Sequence, residues 1–213
     1  MTINATDFAS LLCSRLCHDL LSPVGALNNG LELLADEADP VMRQRCLDLL
    51  SESARTSANK LKFFRLAFGA GGGFGERIDA REARTAIEGL FGDNKRITLG
   101  WLVAEDTLPK GAVKVLLNLA LIAGDALVRG GQLDIGAEAS PGLVEIVVRA
   151  EGQRIILDPE LRATLTGEAG DAPATPRAAP AFLARTMVDE CGGELVVSDP
   201  ADAVLMFGAA FRL

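Results

Sequence analysis

Residues 16–34 read Leu16-Cys17-His18-Asp19-Leu20-Leu21-Ser22-Pro23-Val24-Gly25-Ala26-Leu27-Asn28-Asn29-Gly30-Leu31-Glu32-Leu33-Leu34. Leu16, Leu20, Val24, Leu27, Leu31 and Leu34 recur at steps of four or three, the spacing that gathers apolar side chains along one side of a helix. Outward from this stretch, Leu12 continues the row and Thr6 or Asp7 can cap its start, so one helix is predicted over 5–36. The acidic turn Asp36-Glu37-Ala38-Asp39-Pro40 ends it. A second amphipathic helix is predicted over 41–68, with Leu47, Leu50, Ala54, Leu61, Phe64 and Phe68 along its apolar side. So short a turn makes the two helices antiparallel neighbours. Two helices alone cannot bury both apolar faces. The simplest remedy is a second copy of the chain completing a four-helix bundle, so a homodimer is predicted.

His18 is the only histidine in the chain. Leu16 and Leu20 lie two positions on either side of it, and a two-residue step on a helix turns a side chain well away from the apolar row. His18 is therefore predicted to face outward, with Asp19 beside it and Ser14, Arg15 and Ser22 about one turn away. A neutral imidazole with a free ring nitrogen is a competent nucleophile toward an activated phosphoryl group, and an adjacent carboxylate can hold its tautomer or accept its proton. Pro23, inside an otherwise unbroken helical pattern, removes a backbone hydrogen bond and predicts a local kink or loosened turn beside the histidine.

The run Gly69-Ala70-Gly71-Gly72-Gly73-Phe74-Gly75 cannot hold a helix and marks a boundary between a domain over 1–70 and another over 76–213. In the second, helices are predicted over 80–91, 110–128 and 177–191. Strands are predicted near 96–103, 132–138, 143–150, 194–198 and 203–212, with turns at Gly130-Gly131 and Ser140-Pro141-Gly142. The pattern is an α+β sandwich with helices on one sheet face. Residues 166–180, rich in Ala, Pro, Thr and Gly, are expected to form a mobile loop.

Composition limits the function. A net charge of −8 argues against direct nucleic-acid binding, and no long uncharged apolar run or signal-peptide pattern points to a membrane or export. A cytoplasmic protein with reduced thiols is expected. Cys13 and Cys17 share a helix face, but the segment offers too few ligands for a metal site. Against the acidic whole, the second helix carries Arg43, Arg45, Arg55, Lys60, Lys62 and Arg65. Folding the hairpin about residue 38 sets position 18 opposite 58–60, so Lys60 and Lys62 are expected near His18.

The segment His18-Asp19-Leu20-Leu21-Ser22-Pro23 resembles the H-box, H-[DE]-L-x-x-P, of the dimerisation and phosphotransfer domain of sensor histidine kinases. The longer run 16–34 looks like the ChpT-type histidine phosphotransferases of alphaproteobacterial cell-cycle relays. The resemblance implies that His18 is the phosphoacceptor and Asp19 the accompanying acid. It also implies that the partners are receiver domains of a hybrid histidine kinase and of downstream response regulators. Ser14, Arg15, Ser22, Lys60 and Lys62 are the expected receiver-binding residues, a basic rim suited to an acidic receiver pocket.

The second half is similar to the ATP-binding (Bergerat) sandwich of the same kinases, with departures at every nucleotide box. Residues 114–127 follow the N-box rhythm, yet Ile122 stands where a kinase places its Mg²⁺-holding Asn, and Asn118 lies one turn earlier. The adenine box falls at Ala150-Glu151-Gly152-Gln153-Arg154, with Ala150 in place of its Asp and Arg154 in place of its second Gly. The phosphate lid reads Thr175-Pro176-Arg177-Ala178-Ala179-Pro180, in which two prolines have no N–H to offer. The helix stop Cys191-Gly192-Gly193 is intact. A degenerate kinase-like domain without nucleotide is expected, and with it no cofactor on this chain, Mg²⁺ being held by the receiver. Two alternatives stay open: a kinase with a divergent ATP site, and a dimeric adaptor that only binds receivers.

Overall fold

The computed structural model describes residues 3–69, 76–92, 96–169 and 174–212, so the predicted linker 69–75, apart from Gly69, and part of the predicted loop, 170–173, lie outside the described residues. Helices α1 (Ala5–Asp36) and α2 (Pro40–Ala67) form the antiparallel hairpin. Asn4, not Thr6 or Asp7, caps α1: its Oδ1 accepts from the Asp7 N–H at 2.9 Å. Asp39 caps α2, accepting from the N–H groups of Val41 and Met42, and Pro40 takes the first helical position, where its missing N–H is not needed.

The helix α1 runs unbroken through Pro23, which is buried together with Gly30 on the side facing α2. Leu12, Leu16, Leu20, Leu27 and Leu34 are half-buried beside them, whereas Val24 and Leu31 of the same predicted row remain exposed. On α2 the predicted row divides similarly: Leu47 and Leu61 are exposed, and Phe64 is buried.

Beyond the hairpin come β1 (Arg77–Asp79), α3 (Ala80–Phe91), β2 (Ile97–Trp101), β3 (Thr107–Pro109), α4 (Lys110–Ala126), β4 (Gly131–Ser140), β5 (Leu143–Glu151), α5 (Pro159–Thr166), α6 (Ala179–Glu190), β6 (Glu194–Val197) and β7 (Val204–Phe211). Five strands form one sheet in the order β2-β4-β5-β7-β6, parallel only between β2 and β4, while β1 and β3 pair separately. Positive φ values at Gly130 and Gly142 make the two predicted turns, which a side chain would strain. One sheet face sends Leu133, Ile135, Val144, Ile146, Val148, Leu205, Phe207 and Phe211 into a core centred on α4, a helix apolar nearly all round and correspondingly wrapped. The other face leaves Val147, Val196 and Met206 exposed, as an antiparallel sheet can.

The C-terminal end of α2 enters this same core. Phe63, Phe64, Leu66 and Ala67 are buried among residues of α3 and α4, so one apolar cluster joins the hairpin to the sandwich. Among the described residues, no helix is long and apolar enough to cross a membrane.

The sequence reading missed β1, β3 and α5, and its mobile loop needs correction. Residues 174–180 are not loose: a 3-10 turn at Pro176–Ala178 leads directly into α6, with Pro176 and Pro180 each seated in a first turn.

Candidate functional site

His18 stands on the outer side of α1 with its side chain 85% exposed, as its offset from the leucine row requires. Its Nδ1 lies 3.1 Å from Asp19 Oδ1. If that contact is a hydrogen bond from neutral imidazole to carboxylate, the proton is on Nδ1 and Nε2 carries the free lone pair.

Asp19, by contrast, is turned inward and only 15% exposed. Two contacts hold it, and a third anchors the arginine that makes the first. Its Oδ2 accepts from Arg15 Nε at 2.7 Å, one turn back on α1. The same guanidinium reaches out of the hairpin, where Nη2 donates to Asp125 Oδ2 of α4 at 2.9 Å. Finally, Lys60 Nζ of α2 donates to the backbone carbonyl of Asp19 at 2.8 Å.

The last contact explains how α1 tolerates Pro23. A helical carbonyl normally accepts from the N–H four residues on, and for Asp19 that residue is Pro23, which has none. Lys60 supplies the missing donor. An interior proline costs a helix about 3 kcal/mol. A hydrogen bond from a charged donor returns about 1.5–3 kcal/mol. One rung of the helix ladder at the histidine turn is thus replaced by a tie to α2.

Burial lowers the pKa of Arg15, but the charges of Asp125 and Asp19 outweigh it and the net direction is upward. Desolvation pushes the Asp125 carboxyl above the usual range, Arg15 opposes the shift by charge and hydrogen bond, and Asp19 adds to it.

The structure therefore brings Ser14, Arg15, Asp19 and Lys60 to His18, but not all in the predicted manner. Arg15 is 13% exposed and held between two carboxylates, not free on the surface. Ser22 is exposed one turn beyond His18. Lys62 is not brought to the histidine: it lines a separate groove between α2 and α3 with Asn59, Arg65 and Glu82. Asp125 was missed. A carboxylate in the last turn of a helix, facing the negative end of its dipole, is the signal that could have singled it out.

His18, Ser14, Arg15 and Asp19 form one wall of a cleft of about 970 Å³ whose other walls come from the second half. Ile122, Ala126, Val128, Ile156 and Leu161 supply apolar lining. Around it stand Asp125, Asp158 and Glu160, and each cation in the lining is engaged: Arg15 as above, Arg177 by Asp158 at 3.1 Å. Glu160 accepts from both the backbone N–H of Thr175, at 2.7 Å, and its hydroxyl, at 2.6 Å, fixing the segment before α6.

The other predicted box positions do not open on this cleft. Ala150 is fully buried in β5 between Leu133 and Leu205. Asn118 faces the hairpin seam, where its Nδ2 donates to the carbonyl of Ala67 at 3.2 Å and to that of Lys114 at 2.8 Å.

Comparison with known proteins gives the family of the chain. The family described as "Histidine phosphotransferase C-terminal domain" matches residues 80–203. The protein phosphotransferase ChpT of Brucella abortus (strain 2308) is 34% identical over 205 residues, 96% of each chain. A solved bacterial phosphotransferase superimposes over 98% of both chains with a TM-score of 0.86 and 33% identity. The catalytic domain of the histidine kinase ThkA gives a weaker, partial likeness, with a TM-score of 0.47 and 19% identity over 64% of this chain and 93% of that one. With a family match over more than half its length and a relative of this similarity along nearly all of it, the chain belongs to the histidine phosphotransferase family.

Proposed function

We propose that His18 is the phosphoacceptor of a phosphorelay, taking a phosphoryl group from the aspartyl phosphate of one receiver domain and passing it to the aspartate of another. The observation that carries this reading is the contrast within one turn of α1: an imidazole 85% exposed beside a carboxylate that is inward and anchored. With the Nδ1 proton held by Asp19, the Nε2 lone pair attacks phosphorus in line. The bond from phosphorus to the receiver's carboxylate oxygen breaks, a phosphorus–nitrogen bond forms, and the receiver aspartate leaves as carboxylate. The ring gains positive charge, which Asp19 offsets directly or relieves by accepting the Nδ1 proton. Catalysis is chiefly positioning, and Mg²⁺ belongs to the receiver's acidic pocket. Ser14 and Ser22, one turn on either side of His18, would touch the docked receiver, while Lys62 would contribute charge from a distance.

We read the second half as a kinase-like sandwich that takes no nucleotide. Asp125, Asp158 and Glu160 line the cleft where phosphates would have to sit, and both arginines there are already neutralised. We also read the chain as a homodimer. Leu21, Val24 and Leu31 along one side of α1 and Leu47 and Leu61 along one side of α2 are exposed in the single chain, and a second hairpin completing a four-helix bundle would cover such a face. A cytoplasmic place in a cell-cycle relay, like that of the ChpT-type proteins, completes the reading.

Incubation with a phosphorylated receiver domain tests it. The chain should acquire an acid-labile label, and His18→Ala should abolish acceptance while leaving the circular dichroism spectrum unchanged. Label retained in His18→Ala overturns the assignment, since no other imidazole exists. Calorimetric titration with Mg-ATP should show no micromolar binding.

A further inference from the structure

Asp125 lies in the last turn of α4, which contains no basic residue to offset the helix dipole. A carboxylate there is disfavoured by the dipole, although its side chain stays half exposed to water. What it gains is Arg15, which lies 110 residues earlier in the chain. The Arg15 guanidinium is a rigid fork, with Nε committed to Asp19 and Nη2 to Asp125. Fixing one tine fixes the other. With Oδ2 of Asp19 held by Arg15, Oδ1 is the oxygen left to meet His18 Nδ1. Lys60 secures the backbone of the same residue from α2, so only the rotation of the Asp19 carboxylate remains for the Arg15 fork to set.

We propose that Asp125 is a positioning residue for phosphoryl transfer: acting through Arg15, it aims Asp19 at His18 Nδ1 and keeps Nε2 free for attack. This rests on His18 being the phosphoacceptor. The helix that in outline resembles a nucleotide-binding element would then serve the histidine directly, by holding the hairpin's acid in register.

A purely mechanical tie between the two halves would behave differently, and the single histidine makes the difference measurable. Ring nitrogen-15 spectra of the full-length protein, recorded at about pH 8.5 where imidazole is neutral, report one tautomer equilibrium. In the wild type the Nδ1–H form should dominate. In Asp125→Asn and in Arg15→Lys, whose amine cannot span both carboxylates, the equilibrium should move toward Nε2–H. Single-turnover transfer from a saturating phosphorylated receiver should slow by about tenfold or more, the scale expected when an orienting group is misplaced. The receiver concentration for half-saturation should stay within about twofold of the wild-type value, and Asp125→Glu should recover most of the rate and of the tautomer.

Wild-type rate and tautomer in Asp125→Asn overturn the proposal. So does a slowed rate with an unchanged tautomer, or a loss confined to receiver affinity. Those outcomes make Asp125 a tie or a docking contact. If the wild-type chain accepts no label, the phosphorelay reading itself fails and this proposal with it, a result separable from failure in the variant alone.

Discussion

The two long apolar helices of this chain treat their hydrophobic residues in opposite ways. Helix α1 runs for 32 residues and buries only Pro23 and Gly30, whereas α4, with 17 residues, buries thirteen. The sandwich wraps α4 with its own sheet and helices, while the hairpin leaves several of its leucines exposed and enters the core chiefly where Phe63, Phe64, Leu66 and Ala67 close α2. Apolar content is therefore a poor guide to burial within one chain. A leucine row whose cover is missing asks for cover from elsewhere, and a fully wrapped helix is complete. The histidine sits on the uncovered region, braced by a residue of the wrapped one.

The comparison breaks most decisively if Leu31→Glu leaves the proposed dimer intact. In the single chain Leu31 is 57% exposed, so the charge should hardly change monomer folding. Across a two-fold bundle the substitution enters twice, and association should weaken by about a thousandfold or more, because desolvating each charge costs several kcal/mol. Light scattering should then report a monomer at micromolar concentration, whereas an unchanged dimer mass would remove the bundle reading.

Phe63→Ala should cost about 3–5 kcal/mol in urea unfolding, the usual penalty for emptying a buried aromatic site. A loss well below that range would mean that α2 does not share the core of the sandwich.

Two helical glycines give the finest contrast. A Cβ at Gly124 of α4 would overlap the buried ring of Phe91, so Gly124→Ala should destabilise by about 1–3 kcal/mol despite alanine's better helix propensity. At Gly30 of α1 the nearest atom is the end of Leu50's side chain, 2.9 Å away, which can swing aside. Gly30→Ala should then fall within about 0.5 kcal/mol of the wild type, since the helix-propensity gain offsets a small shift. Equal melting shifts for the two variants would erase the distinction drawn between the regions.

What the sequence disclosed follows from which forces act locally. The helix over 5–36, the outward set of His18 and the approach of Lys60 follow from helical periodicity and a short turn. The α5 helix escaped notice because it spans only eight residues, although Asp158-Pro159 at its start and Gly167 in a left-handed conformation at its end are regular boundary signals. The pairing of β1 with β3 joins three-residue segments about thirty positions apart, and no local pattern announces it. Arg15 looked like a free surface cation because its second carboxylate lies far along the chain. Lys62 could have been placed correctly. Two steps along a helix rotate a side chain by about 200°, so Lys60 and Lys62 cannot serve the same face.

Glu160 and Asp158 also bear on how easily such a cleft could change its chemistry. Ile122→Asn, Ala150→Asp and Arg154→Gly together would restore the residue types of a nucleotide site yet leave Asp125, Asp158 and Glu160 facing any incoming phosphate. Removing those acids first would release Arg15, Arg177 and Thr175, loosening the histidine turn at one end and the start of α6 at the other. On the proposed reading, stripping those acids would weaken phosphoryl transfer before it helped a nucleotide to bind. The acidic lining thus couples the charge of the cleft to the histidine turn, so that its electrostatics cannot be altered without disturbing the proposed phosphoacceptor.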